Sequence, residues 1–249
     1  MGRNPFRIEE PALISFSGGR TSAYMLRRIL DEGLMEAVHI VFADTGKERP
    51  ETYAFVREVE KRWAVGVHWV HREGYFDKLI EDKQTLPNTV QRFCTQELKL
   101  KPIWAFARSL GWDHWDCAVG IRADEPRRIA KIRGRKPDDK GQETLLPLAD
   151  AGVTLAEVTA FWEAQPFDLA LRPWEGNCDL CFLKGQGKRI RILQDRPELA
   201  QWWIEQERRT GRRFRAAPRP SYEQLLQAAS MPMLFNPDEE DLTDCVCGD

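Results

Sequence analysis

A short apolar run that breaks at glycine and restarts as a helix is the feature that most restricts this chain. Ala12, Leu13, Ile14, Ser15 and Phe16 lead into Ser17-Gly18-Gly19-Arg20-Thr21-Ser22. Leu26, Ile29 and Leu30 then recur on one face of a helix predicted over residues 22–32. A strand, a glycine bend and a helix N-terminus in that order aim several backbone N–H groups at one point, where the helix adds partial positive charge. Ser17 and Ser22 add hydroxyls, and Arg20 adds a full charge. The tripeptide alone also makes ordinary turns; its place between strand and helix is what points to an anion such as phosphate.

The pattern continues. Residues 37–43 read as a second strand, and Pro50 opens a helix with Val56, Val59 and Trp63 as its stripe. Residues 66–70 and 115–119 read as further strands, with a helix over 101–110 between them. This order predicts an α/β fold, a doubly wound parallel sheet of Rossmann-like type with helices on both faces; α+β is the alternative. Residues 122–142 are dense in charge, contain Gly134 and Pro137, and read as a long mobile loop. Residues 154–164 return to helix, with Thr154 as its cap. The chain divides into a nucleotide-binding domain, 1–200, and a helical extension with a cysteine-containing tail, 201–249.

Of the 249 residues, 42% are hydrophobic and 31% are charged, with a formal net charge of -2. A core is affordable, and a global attraction to nucleic acid is excluded. No apolar run reaches the roughly 18 residues of a membrane span, and no apolar leader follows Met1, so a cytoplasmic location is expected. A local basic stretch, Arg208, Arg209, Arg212, Arg213, Arg215 and Arg219, could reach an RNA or DNA acceptor, helped by Lys184, Lys188, Arg189 and Arg191; a solvated face is the alternative.

There are six cysteines. Cys178-Asp179-Leu180-Cys181 has the spacing that chelates one metal centre, and Cys245 and Cys247 form a second close pair. Without a leader, such pairs suggest metal or redox chemistry over structural disulfides. Cys117 sits in an apolar strand and reads as a small buried residue.

The first loop resembles that of the PP-loop superfamily, the adenine nucleotide α-hydrolase-like proteins, whose usual loop is Ser-Gly-Gly-Lys-Asp-Ser. Arg20 keeps the positive charge and Thr21 replaces the carboxylate. Phe42-Ala43-Asp44-Thr45-Gly46, followed by Pro50-Glu51-Thr52-Tyr53, resembles a segment of the phosphoadenylyl-sulfate (PAPS) reductases. Gly120-Ile121-Arg122-Ala123-Asp124-Glu125 is similar to the family's Gly-x-Arg segment. The resemblance spans about residues 12–200. It implies that Ser17, Gly18, Gly19, Arg20, Thr21, Ser22, Asp44, Thr45, Gly46, Gly120 and Arg122 hold an adenine nucleotide, either ATP with magnesium or an adenosine phosphosulfate. Arg20, Asp44 and Arg122 are the implied catalytic groups.

The same resemblance implies a four-iron four-sulfur cluster on Cys94, Cys178 and Cys181, with zinc as the alternative. Phe93 stands where the reductases have one of a cysteine pair. Cys245, or else Cys247, would supply the fourth ligand from the tail; otherwise one iron stays open to a sulfur atom or substrate. Lys99 and Lys101 match basic residues after the family's cysteine segment. The reductase tail motif, Glu-Cys-Gly with a following His, is echoed by Cys247-Gly248 without the His, which makes Cys247 a candidate nucleophile. Three functions follow: ATP-dependent adenylation with sulfur transfer; reduction of a sulfonucleotide to sulfite; and, from another class, a non-catalytic nucleotide sensor or nucleic-acid-binding module. A homodimer is one assembly left open.

Overall fold

Alternation along the strands decides which side chains meet which helices. The computed structural model describes residues 4–134, 141–172 and 174–231. Strands β1 (Ala12–Ser15), β2 (Val38–Asp44), β3 (Val67–His71), β4 (Trp115–Val119) and β5 (Gln142–Leu145) form one sheet in the order β3-β2-β1-β4-β5. Every pairing is parallel. Each strand therefore returns through a crossover, and helices cover both faces. The doubly wound α/β expectation is met.

Ala12, Ile14, Ile40, Phe42 and Ala118 point to one face. There they pack against α1 (Arg20–Glu32), α2 (Pro50–Trp63) and α8 (Leu155–Glu163), which contribute Met25, Ile29, Val56, Val59 and Trp162. Leu13, Val41, Trp115 and Cys117 point to the other face and meet Ile103 and Ala107 of α5 (Lys101–Ser109). Pro50 and Thr154 mark the helix starts read from the sequence, and Glu157 Oε2 accepts from the Thr154 N–H at 2.8 Å.

The expected loop over 122–142 needs correction. Residues Pro126–Arg133 form α6, and β5 begins at Gln142. Pro126 starts the helix, but the charged residues around Ile129 and Ile132 hide its period, and it buries no side chain. Strand β5 is an edge strand without a buried residue, so no apolar run announces it. Residues 135–140 of that segment lie outside the described residues.

A second core lies beyond the sheet. It joins α3 (Tyr75–Lys83), the short α4 (Phe93–Thr95), α9 (Gln186–Asp195), α10 (Ala200–Thr210) and α11 (Tyr222–Ala229). The four-residue α7 (Pro147–Asp150) belongs to the first core through Leu148. Trp203 stacks on Tyr222 with ring centroids 5.0 Å apart, and Tyr222 Oη donates to Leu180 O at 2.6 Å. Among the described residues no helix is long and apolar enough to cross a membrane.

Lys184 and Arg189 are buried in the second core, so neither contributes to the basic surface read from the sequence. Arg189 is 0% exposed, and its Nε, Nη1 and Nη2 have no hydrogen-bond partner. Its guanidinium lies 5.6 Å from the Tyr222 ring centroid. Burying such a charge is costly. Replacing it with an apolar side chain of similar length, Arg189→Met, is expected to stabilise the metal-free chain by about 1–3 kcal/mol. Urea unfolding reads this directly, and a lowered midpoint would show that the charge is compensated within the fold.

Candidate functional site

The Ser17–Ser22 loop is built by close approach. Gly18 has φ +79°, and a Cβ there would sit 2.6 Å from Thr52 Cγ2 at the start of α2. Gly120, just after β4, packs on the first turn of α1, where an added Cβ would lie 2.9 Å from Ser22 Cα. Ser22 Oγ donates to Gly19 O at 3.0 Å, lies 2.9 Å from Ser17 Oγ, and accepts from the Ser17 N–H at 3.2 Å. Gly19 caps α1 with no side-chain hydrogen bond. The first N–H groups of a helix have no acceptor within it, so this end is left for an anion.

Arg122 joins the loop: its Nη1 donates to Thr21 Oγ1 at 3.2 Å, and its Nε to Asp124 Oδ1 at 2.9 Å. Arg20 does not. Its Nε and Nη2 fork onto Asp168 at 2.7 and 2.8 Å, and Nη2 also donates to Leu169 O and Leu171 O. A bidentate carboxylate pair uses the donors that phosphate would need. Asp44, at the end of β2, closes a turn: its Oδ1 accepts from the Gly46 N–H at 2.8 Å and from Tyr53 Oη at 2.7 Å. Burial, then Asp44, pushes the Tyr53 hydroxyl well above its usual range. Thr45 is buried and donates to Glu48 Oε1 at 3.0 Å.

The cysteines converge. Cys94, Cys178 and Cys181 line one small cavity of about 30 Å³, together with Thr45, Lys47 and Lys99. Cys94 reaches it from α4, which runs into a π-helical turn at Gln96–Leu100; such turns re-aim side chains within a helix. Glu97 anchors that turn through Lys101 at 2.9 Å and Lys83 at 3.3 Å. Cys117 is elsewhere, inside the sheet, where burial pushes its thiol up to about 12. Among the described residues no group of three or more His, Cys, Asp or Glu forms a metal-ion site. The thiols share a cavity without closing on one point. A single zinc ion would need sulfurs about 2.3 Å from it. Cys245 and Cys247 lie outside the described residues.

The cysteine segment is stitched to the phosphate loop. Asn177 donates from its side-chain amide to Ser17 O at 2.8 Å. The Arg49 N–H donates to Asn177 O at 2.7 Å, and the Asp179 N–H to Lys47 O at 3.0 Å. Between these bonds, Glu48 and Cys178 form an antiparallel bridge. One short ladder thus holds the turn after β2, the phosphate loop and the Cys-x-x-Cys turn together. Asn177, Lys47 and Glu48 are site residues that the sequence analysis does not name, although Lys47 and Glu48 lie inside the Asp-Thr-Gly…Pro-Glu-Thr segment and Asn177 directly precedes Cys178.

The phosphoadenosine phosphosulfate reductase domain model matches residues 11–165. This chain belongs to that family. The match includes the loop, Asp44, Cys94 and Arg122, and ends before Cys178. An uncharacterized nin region protein of Escherichia phage lambda is 35% identical over 209 residues, covering 71% of this chain and 67% of its own. An uncharacterized protein of Methanocaldococcus jannaschii is 26% identical over 201 residues, 79% of this chain; the chain spans 41% of that relative's length. Among solved structures, a PAPS reductase from Candida auris in a phosphate complex gives a TM-score of 0.47 at 18% identity, covering 64% of this chain and 76% of that one. The U34-tRNA thiolase NcsA from Methanococcus maripaludis, with its [4Fe-4S] cluster, gives 0.47 at 14% identity, covering 91% and 74%.

Two outcomes follow from this geometry. Gly18→Ala forces a side chain into a left-handed backbone against Thr52. It is expected to cost about 1–3 kcal/mol in urea unfolding and to weaken nucleotide binding. Asp179 titrates against its burial: desolvation raises its pKa above 3.8, opposed by the Leu180 N–H, Lys47 and Lys184. A raised carboxylate contributes stability that is complete below the ordinary value and is lost as pH rises through the raised one. Asp179→Asn mimics the neutral form at every pH. The variant is therefore expected to gain on the wild type as pH rises above the ordinary carboxylate value of 3.8; a urea-midpoint difference that does not change with pH would contradict the assignment.

Proposed function

We propose that the chain is an adenine-nucleotide-binding enzyme of sulfur chemistry, which activates an acceptor by adenylation and then passes sulfur to it. The observation that carries this reading is the ladder that places the phosphate loop beside three convergent cysteines. The loop amides and the Ser17 and Ser22 hydroxyls hold the nucleotide's phosphates. Arg122, steadied by Thr21 and Asp124, stabilises charge that develops at the α-phosphate as pyrophosphate leaves. Asp44, at the carboxyl end of its strand, is placed to meet a magnesium ion carried in with ATP. Arg20 is assigned to positioning: its fork onto Asp168 ties the loop to the segment after α8.

Cys94, Cys178 and Cys181 are the residues that would hold an iron–sulfur cluster. What supports this is the donor type: three cysteines line one cavity that Lys47 and Lys99 also line, although the cavity of about 30 Å³ would have to open to admit a cluster. Such a cluster, when bound, supplies a soft site that carries sulfur. The protein's share is to keep that site dry and adjacent to the activated acceptor.

Family membership favours a second reading, reduction of a sulfonucleotide to sulfite with Cys247 as the nucleophile. Anaerobic purification of the full chain, with an absorption spectrum and iron and sulfide analysis, tests the cysteine half of the proposal. Product analysis separates the two reactions. Adenylation releases pyrophosphate and then AMP, and Cys247→Ser is expected to leave this within about twofold of the wild type. Sulfite release that is abolished in Cys247→Ser would establish the reductase instead. Binding of nucleotide without turnover of ATP or sulfonucleotide would leave only a sensor.

A further inference from the structure

Six arginines lie between residues 208 and 219, with no lysine and no carboxylate among them. Arg208, Arg209, Arg212, Arg213 and Arg219 are exposed. Arg208 is paired with Glu223, whereas among the described residues the side chains of Arg209, Arg212 and Arg219 make no ion pair. Glu207, just before the run, is turned inward: Oε1 accepts from the Phe214 N–H at 3.2 Å and Oε2 from the Tyr222 N–H at 2.9 Å. The last turn of α10 gives Arg208 and Arg209 a helix C-terminus to complement. Arg212, Arg213 and Arg219 lie past that helix, so the dipole does not account for them. A surface that needed only solvation would be served as well by lysine, which lacks the planar fork that matches phosphate.

The run is rooted at the cysteine cavity. Phe214, in its middle, is 0% exposed and stacks on Phe182 with ring centroids 5.6 Å apart. Phe182 follows Cys181 directly and lines the cavity, as does Trp203 of α10. Phe214 meets Trp203 as well, at 4.7 Å between centroids. We propose that this arginine face is the docking surface for a single strand of nucleic acid. Its guanidiniums fork onto successive phosphates, and their flat faces stack on unpaired bases. A helix end followed by an irregular turn does not fill the major groove of a duplex, which takes a helix or a β-ribbon. The net charge of -2 gives the chain as a whole no attraction for a polyanion, so the contact is confined to this face. The element that holds the strand also walls the cavity. That the strand is the acceptor of the proposed sulfur transfer rests on the adenylation reading above; its binding does not.

The test is fluorescence anisotropy of the full chain with a labelled single strand of about 20 nucleotides, longer than a typical binding site. The strand is supplied as RNA, as DNA of the same sequence and as a duplex. Arg212→Ser/Arg213→Ser is compared with the wild type and with Arg57→Ser/Lys61→Ser, which removes two exposed cations from α2. The wild type is expected to bind a single strand more tightly than the duplex, and the RNA and DNA arms identify which sugar it takes. The Arg212/Arg213 pair is expected to lose about tenfold in affinity and to flatten the log–log salt dependence by about 1.4, or about 0.7 per lost phosphate contact. The α2 pair is expected to stay within about twofold of the wild type. Urea midpoints report that the variants are folded. No binding by the wild type at about 0.1 M salt would overturn the proposal. So would equal losses in the two pairs, tighter binding of the duplex, or displacement of the strand by polyglutamate as readily as by unlabelled strand. Wild type that binds a strand but releases no pyrophosphate from ATP would sink the adenylation reading and leave the docking surface standing.

Discussion

The side-chain amide of Asn177 donating to the carbonyl of Ser17 is the contact on which the site depends. Beyond β1 the chain has left the sheet, and its carbonyl needs another donor. Asn177 supplies it from a segment 160 residues away in sequence. The Asn177 carbonyl in turn takes the Arg49 N–H, one residue before α2 begins. Each bond contributes only about 0.5–1.5 kcal/mol net. Together they fix three segments, each of which carries part of the chemistry. Without these bonds the glycine loop and the Cys-x-x-Cys turn would be separate parts of the fold. The ladder makes them neighbours.

Lysines gather at the cysteine cavity and its turn, each beside a carboxylate or carbonyl. Lys47 lies 3.9 Å from the Trp202 ring centroid, and desolvation lowers its pKa, with Asp179 opposing. Lys184 is buried against the carbonyls of Cys178 and Asp179. Asp179 spends its own acceptor capacity on the Leu180 N–H and on Trp203 Nε1, which pins the cysteine turn to α10. Lys184 alone of these lysines is fully buried; Lys47 stays partly exposed.

Much of this was legible in the chain. The strands β1, β2 and β4 announce themselves because they lie inside the sheet and bury residues, and apolar runs result; the edge strand β3 buries none and is read from Val67, Trp69 and Val70. The edge strand β5 and helix α6 are invisible to that signal, since neither buries a side chain. The phosphate loop was readable because glycine at a positive φ has few substitutes. The fate of Arg20 was not, because nothing local to residue 20 says that Asp168 will take its guanidinium. The convergence of Cys94 with Cys178 and Cys181 depends on a π-helical turn and on a long-range ladder, and spacing along the chain carries neither. Glu48 was hidden for the same reason: its partner is Cys178, and only folding brings the two together.

The most direct test of the central claim is amide hydrogen exchange on the full chain with and without a non-hydrolysable ATP analogue. If the ladder couples the two halves, nucleotide binding slows exchange in the loop around Ser17 and Ser22 and, in parallel, at Arg49, Asp179 and Leu180. Protection confined to the loop, with the cysteine turn exchanging as before, would contradict the account.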